Sequence, residues 1–245
     1  MLKGIVLAGG KGTRLLPTTR AVSKQLHCVY NKPMIYYPLQ TLKELGIVDI
    51  LIITADFMQY RLFQEQLKDG RDYGLNLEYL IQESPGGLPE AFIIGEKFIG
   101  DNNVALILGD NVLITNKKLE AVPNTIFTYK VKNPEAYGVA KLDENGNLIE
   151  LIEKPTEFVS DNAVVGLYVF TNTSISLAKT LVPSKRGELE IVDLITKLNE
   201  VERVSIEELD GFWFDCGNHD DLLECANLVK AIEHRTNKKV GLHEK

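Results

Sequence analysis

Apolar runs of strand length recur along the first half of the chain, at residues 4–8 (Gly-Ile-Val-Leu-Ala), 50–54, 77–81 and 104–108, with segments of helical spacing between them. Runs that are apolar on both faces and alternate with helices predict a parallel sheet covered on both sides. A first connecting helix is predicted over residues 33–45, with Pro33 near its start and Gly46 as its cap, and a second over 57–67. Beyond about residue 124 the strands shorten and turn signals increase. Strands are predicted at 125–131, 137–142, 148–152 and 163–170, and Glu144-Asn145-Gly146-Asn147 is a hairpin signal. A helix over 189–199, a strand ending at residues 213–215 and a helix over 220–233 close the pattern. With no internal repeat or low-complexity linker, this second half is expected to continue the sheet and form a second lobe. The expected architecture is one α/β domain with a mixed, mostly parallel central sheet flanked by helices, its halves being about residues 1–123 and 124–245.

Composition narrows what such a domain does. A chain of 245 residues with 44% hydrophobic content can bury a large core. Its formal net charge of -7 argues against a general nucleic-acid binder, which needs a broad basic surface. The three cysteines, Cys28, Cys216 and Cys225, have neither a zinc spacing nor an even count, and read as reduced thiols of a cytoplasmic protein. The first apolar run is cut short by Gly9, Gly10 and Gly12, so it does not read as a signal peptide. No stretch approaches the roughly 20 apolar residues needed to span a bilayer. Neither a nucleic acid nor a membrane is expected as partner.

Against that acidic background the beginning of the chain is exceptional. No Asp or Glu precedes Glu44, yet Lys3, Lys11, Arg14, Arg20, Lys24, Lys32 and Lys43 fall in the same stretch. Residues 9–14 read Gly-Gly-Lys-Gly-Thr-Arg directly after the first strand. A glycine-rich turn at a strand end exposes backbone N–H groups, and cations around it complete a site for a phosphorylated ligand. A dinucleotide fingerprint would need a third glycine where Leu15 stands, and GxxxxGK[ST] is absent. A plain tight turn is the competing reading of the glycines alone. Arg14, supplying a fork, and Lys24, a point charge in Ser23-Lys24-Gln25, favour a triphosphate cradle.

Asp110, in Leu108-Gly109-Asp110-Asn111, follows a buried strand at its carboxyl end, where open α/β sheets bind ligands. Asp215 ends the aromatic run Phe212-Trp213-Phe214. Two such carboxylates can share Mg²⁺, a hard ion that keeps waters and phosphate oxygens in its shell; as plain turn caps they would do no more than fix backbone. Glu153-Lys154-Pro155 and Tyr137-Gly138 read either as surface features or, beside a phosphate site, as groups for sugar hydroxyls and a second phosphate. Gln82 and Gly87 offer amide groups to a nucleobase.

Read in order, LAGGKGTRL, SKQL, NKPMIYYPL, the loop from Gln82 to Ala91, LGDN, EKP, GLY, RGELEIVD and WFDCG resemble the sugar-1-phosphate nucleotidyltransferases, most closely their dTTP-using members. The resemblance runs from the first strand to about Glu224 and implies a Rossmann-like nucleotidyltransferase fold. It implies that Leu7, Gly9, Gly10, Gly12, Thr13, Arg14, Lys24, Gln25 and Asp110 bind the nucleotide, with the glycines, Thr13, Arg14 and Lys24 at the triphosphate, that Gln82 and Gly87 meet the base, and that Asp110 and Asp215 hold Mg²⁺. It likewise implies that Asn111, Tyr137, Gly138, Glu153, Lys154, Val164 and Arg186 face the sugar phosphate, with Arg14, Lys24, Lys154 and Asp110 carrying catalysis. The sequence departs from the family pattern at His27-Cys28, Pro89-Glu90, Cys216 and Asn218. Longer members carry a further C-terminal helical segment.

The reaction so implied joins dTTP, or UTP, to glucose 1-phosphate and releases pyrophosphate, in a cytoplasmic homotetramer that supplies dTDP-glucose for dTDP-rhamnose and cell-surface polysaccharide. A phosphate monoester has a second pKa of ~6, so the attacking oxygen needs no general base. That agrees with His27, His219, His234 and His243, none of which stands in an acid–base arrangement. A catalytically silent sugar-nucleotide-binding subunit and an NAD-dependent dehydrogenase are the rival readings.

Overall fold

The apolar runs fold as strands in a computed structural model, which describes residues 1–244. In chain order the strands are β1 (Leu2–Ala8), β2 (Cys28–Val29), β3 (Lys32–Pro33), β4 (Asp49–Thr54), β5 (Asn76–Ile81), β6 (Asn103–Leu108) and β7 (Asn111–Thr115). They continue as β8 (Thr125–Lys130), β9 (Gly138–Leu142), β10 (Leu148–Glu153), β11 (Asn162–Phe170), β12 (Ser205–Glu208) and β13 (Gly211–Asp215). The helices are α1 (Tyr36–Glu44), α2 (Phe57–Leu67), α3 (Glu90–Ile94), α4 (Glu96–Ile99), α5 (Thr173–Ala178), α6 (Ile191–Val201) and α7 (His219–Thr236). They form two compact units that interleave along the chain. One comprises Lys3–Pro85, Ile107–Leu119 and Gly211–Lys245; the other comprises Met1–Leu2, Gly86–Leu106 and Glu120–Asp210.

In the first unit β1, β4 and β5 pair in parallel, with Val6 opposite Ile52 and Ile52 opposite Tyr79. Ile5, Val6 and Ile50 through Ile53 are fully buried, as strands apolar on both faces require. The α1 helix starts at Tyr36, three residues after the predicted Pro33. Pro33 instead pairs with Cys28 in the β2–β3 hairpin, and the N–H groups of Met34 and Ile35 donate to His27 and Gln25. Pro38 occupies the first helical turn, where a missing N–H breaks no helical bond. At the other end Ile47 and Gly46 donate to the Leu42 and Lys43 carbonyls, closing the helix as predicted. A separate antiparallel ribbon, β7–β13, pairs Asn111 with Asp215 and Leu113 with Trp213. Val112 and Phe214 face a cluster with Met34, Tyr37, Cys216, Cys225 and Val229, which anchors the ribbon to α7.

In the second unit β10, β9, β11 and β8 pair antiparallel in that order, and β12 joins β8 in parallel. The predicted hairpin is β9–β10. Its turn is held by Asp143, whose carboxylate accepts from the backbone of Asn145 and Asn147 at 2.8 Å each. The α6 helix begins two residues later than predicted, because the backbone of Glu190 is still extended while its side chain is bound by Arg186 and Ser184.

Glu202 ends α6 and fastens it to neighbouring segments. Its carboxylate accepts from Asn124 Nδ2 (2.6 Å), Thr171 Oγ1 (2.8 Å) and Thr173 Oγ1 (2.6 Å), and these bonds, led by that of Thr173, hold it below its ordinary 4.5. Glu202→Gln is expected to destabilise the protein by about 1.5–3 kcal/mol at pH 7, the range for hydrogen bonds to a charged group. A lowered folded value places the charged-form contribution above pH 4.5, and it is lost as pH falls through the folded value. Urea unfolding at pH 7 and pH 4 measures this: the gap between Glu202→Gln and the parent should narrow at the lower pH.

Candidate active site

The turn leaving β1 is shaped by Gly12, whose φ of 61° is left-handed. Its carbonyl accepts from Leu15 N–H (3.0 Å) and Thr19 Oγ1 (2.7 Å), closing a short 3₁₀ turn that carries Arg14. The other glycines admit close neighbours. A Cβ on Gly9 would lie 3.2 Å from Gln82 Oε1, and one on Gly10 would lie 3.6 Å from Lys24 Nζ. Gln82 and Lys24 therefore stand against the bare backbone of residues 9 and 10. Lys24 begins a further 3₁₀ turn whose preceding N–H, on Ser23, donates to Gln59 Oε1 at 2.9 Å. Gln25 is buried against Gly109, and Gly109 N–H donates to the Leu7 carbonyl at 3.0 Å.

Asp110 and Asp215 meet at the end of the β7–β13 ribbon. Asn111 is the register partner of Asp215, and Cys216 N–H donates to the Asp110 carbonyl at 2.9 Å. Lys24 Nζ bonds Asp110 Oδ2, both side chains being nearly out of solvent at 12% and 10% exposure. Arg14 Nη2 lies 3.3 Å from Asp215 Oδ2, but with the arginine 62% exposed this pair contributes little stability. Burial, then the charge of Asp110, raises the Asp215 carboxyl, while Arg14 and Lys24 act in the opposite direction. The Cys216 thiol, hydrogen-bonded to Cys225 and buried, is pushed far above its ordinary value and is unreactive as a nucleophile.

Two acidic side chains at one point, with no cluster of three His, Cys, Asp or Glu among the described residues, leave most of a metal's shell to other donors. That suits a hard divalent ion sharing waters and phosphate oxygens. The mutual repulsion of Asp110 and Asp215 is the complementary observation, since a cation at this point would relieve it.

In the second unit Glu153 stands opposite Gly138, where a Cβ would come within 3.2 Å of Glu153 Oε2, and Lys154 N–H donates to the Tyr137 carbonyl at 2.9 Å. Arg186 reaches both Glu153 (3.5 Å) and Glu190 (2.6 Å), the latter through two of its nitrogens. Burial favours the neutral form of Glu190, but the bonds from Arg186 and Ser184 and the charges of Arg186 and Lys154 outweigh it and lower its pKa. Gly87, with φ at 94°, bridges to Leu189, whose carbonyl oxygen any Cβ at residue 87 would overlap. Val164 is half-buried on β11 opposite Thr128. Thus Gly9, Gly10, Lys24 and Gln82 gather in one unit, as do Arg14, Asp110 and Asp215, whereas Tyr137, Gly138, Glu153, Lys154 and Arg186 gather in the other.

The nucleotidyl transferase family model matches residues 3–231, and the chain belongs to that family. Among curated relatives it is 49% identical to the glucose-1-phosphate thymidylyltransferase of Neisseria gonorrhoeae, over 99% of this chain and 88% of the relative. It is 44% identical to that of Mycolicibacterium smegmatis, over 99% and 87%. A Bacillus anthracis structure described as a glucose-1-phosphate thymidylyltransferase in complex with a sucrose superposes with a TM-score of 0.86 at 34% identity, covering 93% of this chain and 95% of that one. A UDP-glucose pyrophosphorylase shares the fold at TM-score 0.82 and 24% identity, covering 94% and 99%.

Three contacts around these groups lie outside the expectations from sequence. The Arg186–Glu190 pair has an i, i+4 spacing that could have flagged it. The bond from Ser23 to Gln59 and that from Trp213 to Asn111 join residues far apart in the chain and leave no local signal. One consequence of the carboxylate pair is measurable. A raised Asp215 value means that ionising this group opposes folding of the metal-free protein as pH rises through it. Asp215→Asn is therefore expected to melt higher than the parent in chelator at pH 7, with the gain vanishing toward pH ~4, where the ordinary carboxyl protonates. Thermal melts across pH 4–8 give the answer, and an equal or lower melting temperature at pH 7 would contradict the raised Asp215 value.

Proposed function

We propose that the protein transfers a thymidylyl group from dTTP to α-D-glucose 1-phosphate, giving dTDP-glucose and pyrophosphate, as the names of its relatives describe for them. The observation that carries this reading is the meeting of Lys24 with Asp110 and of Arg14 with Asp215 beside bare glycine backbone. It is a site for a polyanion that arrives with its own cation. A divalent metal belongs to this family's chemistry. We assign Mg²⁺ to Asp110 and Asp215, where, when bound, it would neutralise phosphate charge and polarise the P–O bond.

The chain's own residues supply position and charge. In this reading Gly9, Gly10, Gly12 and Thr13 border the triphosphate, and Leu7 and Gln25 fix the floor of the turn through Gly109. Arg14 and Lys24 exchange their carboxylate partners for the departing pyrophosphate and stabilise the charge that develops there. Gln82, held at the end of β5 by its N–H bond to Thr54 (2.8 Å), and Gly87 read the base. Glu153 accepts sugar hydroxyls, Tyr137, Gly138 and Val164 border the sugar, and Lys154 with Arg186 orients the phosphate whose oxygen attacks. No proton need be removed from that oxygen, so catalysis rests on alignment and electrostatics.

No helix among the described residues is long and apolar enough to cross a membrane. We place the enzyme in the cytoplasm, as a homotetramer supplying dTDP-rhamnose synthesis. The decisive experiment incubates the protein with Mg²⁺, each of four nucleoside triphosphates and several sugar 1-phosphates, and measures pyrophosphate release. dTTP with glucose 1-phosphate should be fastest. A preference for UTP would overturn the base assignment, and no turnover with any pair would favour a silent binding subunit. Lys24→Ala should lower kcat by ~10²–10³-fold with saturating substrates, the usual loss for one preorganised donor, and wild-type turnover would remove Lys24 from the mechanism.

A further inference from the structure

The Asp110 carboxylate is gripped from two sides. On one side is Lys24; on the other is Asn111, whose Nδ2 donates to Asp110 Oδ1 at 3.3 Å. Asn111 is only 2% exposed, and its Oδ1 accepts from Trp213 Nε1 at 2.7 Å in a buried bond. The ribbon register explains how these meet. Asn111 is opposite Asp215 and Leu113 is opposite Trp213, so Trp213 and Asp215, two residues apart on β13, lie on the same face as Asn111. An indole reaches the diagonal neighbour across an antiparallel pair. An amide whose oxygen is fixed by an indole N–H has its NH₂ group aimed by the same bond, here at the carboxylate.

We infer that Trp213 is a positioning residue for Asp110, acting through Asn111; this rests on reading Asp110 as a metal ligand. The order is indole N–H to amide oxygen, then amide N–H to carboxylate oxygen, so one bond on β13 sets both the orientation of the Asn111 amide and that of the carboxylate beyond it. Partners that orient a ligating carboxylate commonly change metal affinity by 10–100-fold when removed. Trp213→Phe retains most of the ring's bulk and removes the N–H donor; Asn111→Ala breaks the same chain at its middle.

The chain has a single tryptophan, so its amide spectrum holds one indole N–H resonance, free of overlap. In the metal-free protein, that resonance should move to the position of an indole without a neutral amide acceptor in Asn111→Ala. Binding of Mn²⁺ alone, followed by electron paramagnetic resonance, should weaken by ~10-fold or more in Trp213→Phe and in Asn111→Ala. The double variant should be no weaker than Asn111→Ala. An unmoved indole resonance in Asn111→Ala, parental Mn²⁺ affinity in Trp213→Phe, or additive losses in the double variant would each overturn the proposal. Asp110→Asn separates the two levels. If it binds Mn²⁺ as the parent does, Asp110 is no metal ligand and the positioning role falls with it; if it loses Mn²⁺ while Trp213→Phe does not, only the positioning role falls.

Discussion

The β7–β13 ribbon sets Asp215 beside Asp110 with little access to bulk water, and burial, then the charge of Asp110, makes Asp215 harder to ionise. The neighbouring chemistry follows from that constraint. Lys24 compensates one carboxylate from within the protein, and Arg14 reaches the other from solvent. Both cations come from a stretch in which no acid precedes Glu44, so no nearby Asp or Glu in sequence competes for them. Gly9 leaves room for Gln82, since a Cβ there would lie 3.2 Å from Gln82 Oε1 and make that amide shift, and Lys24 packs beside Gly10.

Such a balanced quartet is not a strong structural element. Replacing buried ion pairs with apolar residues is often neutral or stabilising, so charge-compensated acids at a ligand end of a sheet are better explained by what they bind than by what they hold together. In the reading proposed above, a triphosphate and its divalent counter-ion replace both halves of the pairings at once. Phosphates take Arg14 and Lys24, and the cation takes Asp110 and Asp215. The cation cancels part of the phosphate charge and the ligand finds its counter-charges already in place, which lowers the cost of bringing a polyanion into an acidic protein.

The buried strands were legible because an apolar run on both faces has few alternatives: β4, β5 and β6 each begin one residue before their predicted start, and α2 spans its predicted residues. Boundaries set by long-range contacts were less accessible. Pro33 looked like a helix start, but its pairing to Cys28 is decided by the hairpin turn at Tyr30 and Asn31. Short elements such as β7 and β12 have too few residues to show a period, and β12 exists because β8 offers it an edge. At the site, local motifs marked the glycines, Lys24 and the two aspartates. Nothing local could mark Gln59 or the Asn111–Trp213 bond, because register across 102 residues of chain creates that contact.

The second unit repeats the logic with arginine. Arg186 spends two nitrogens on Glu190, which is 15% exposed and further fixed by Ser184, and approaches Glu153 only at 3.5 Å. A guanidinium carries five N–H donors in a rigid plane, so a bidentate bond to one carboxylate orients it while leaving donors for another anion. Glu190 is therefore the holder and Glu153 the weaker, exchangeable partner. In the proposed reading, a sugar phosphate approaching Arg186 would displace only the longer contact and leave Glu153 to accept hydroxyls. The strength of one pairing is what makes the other available.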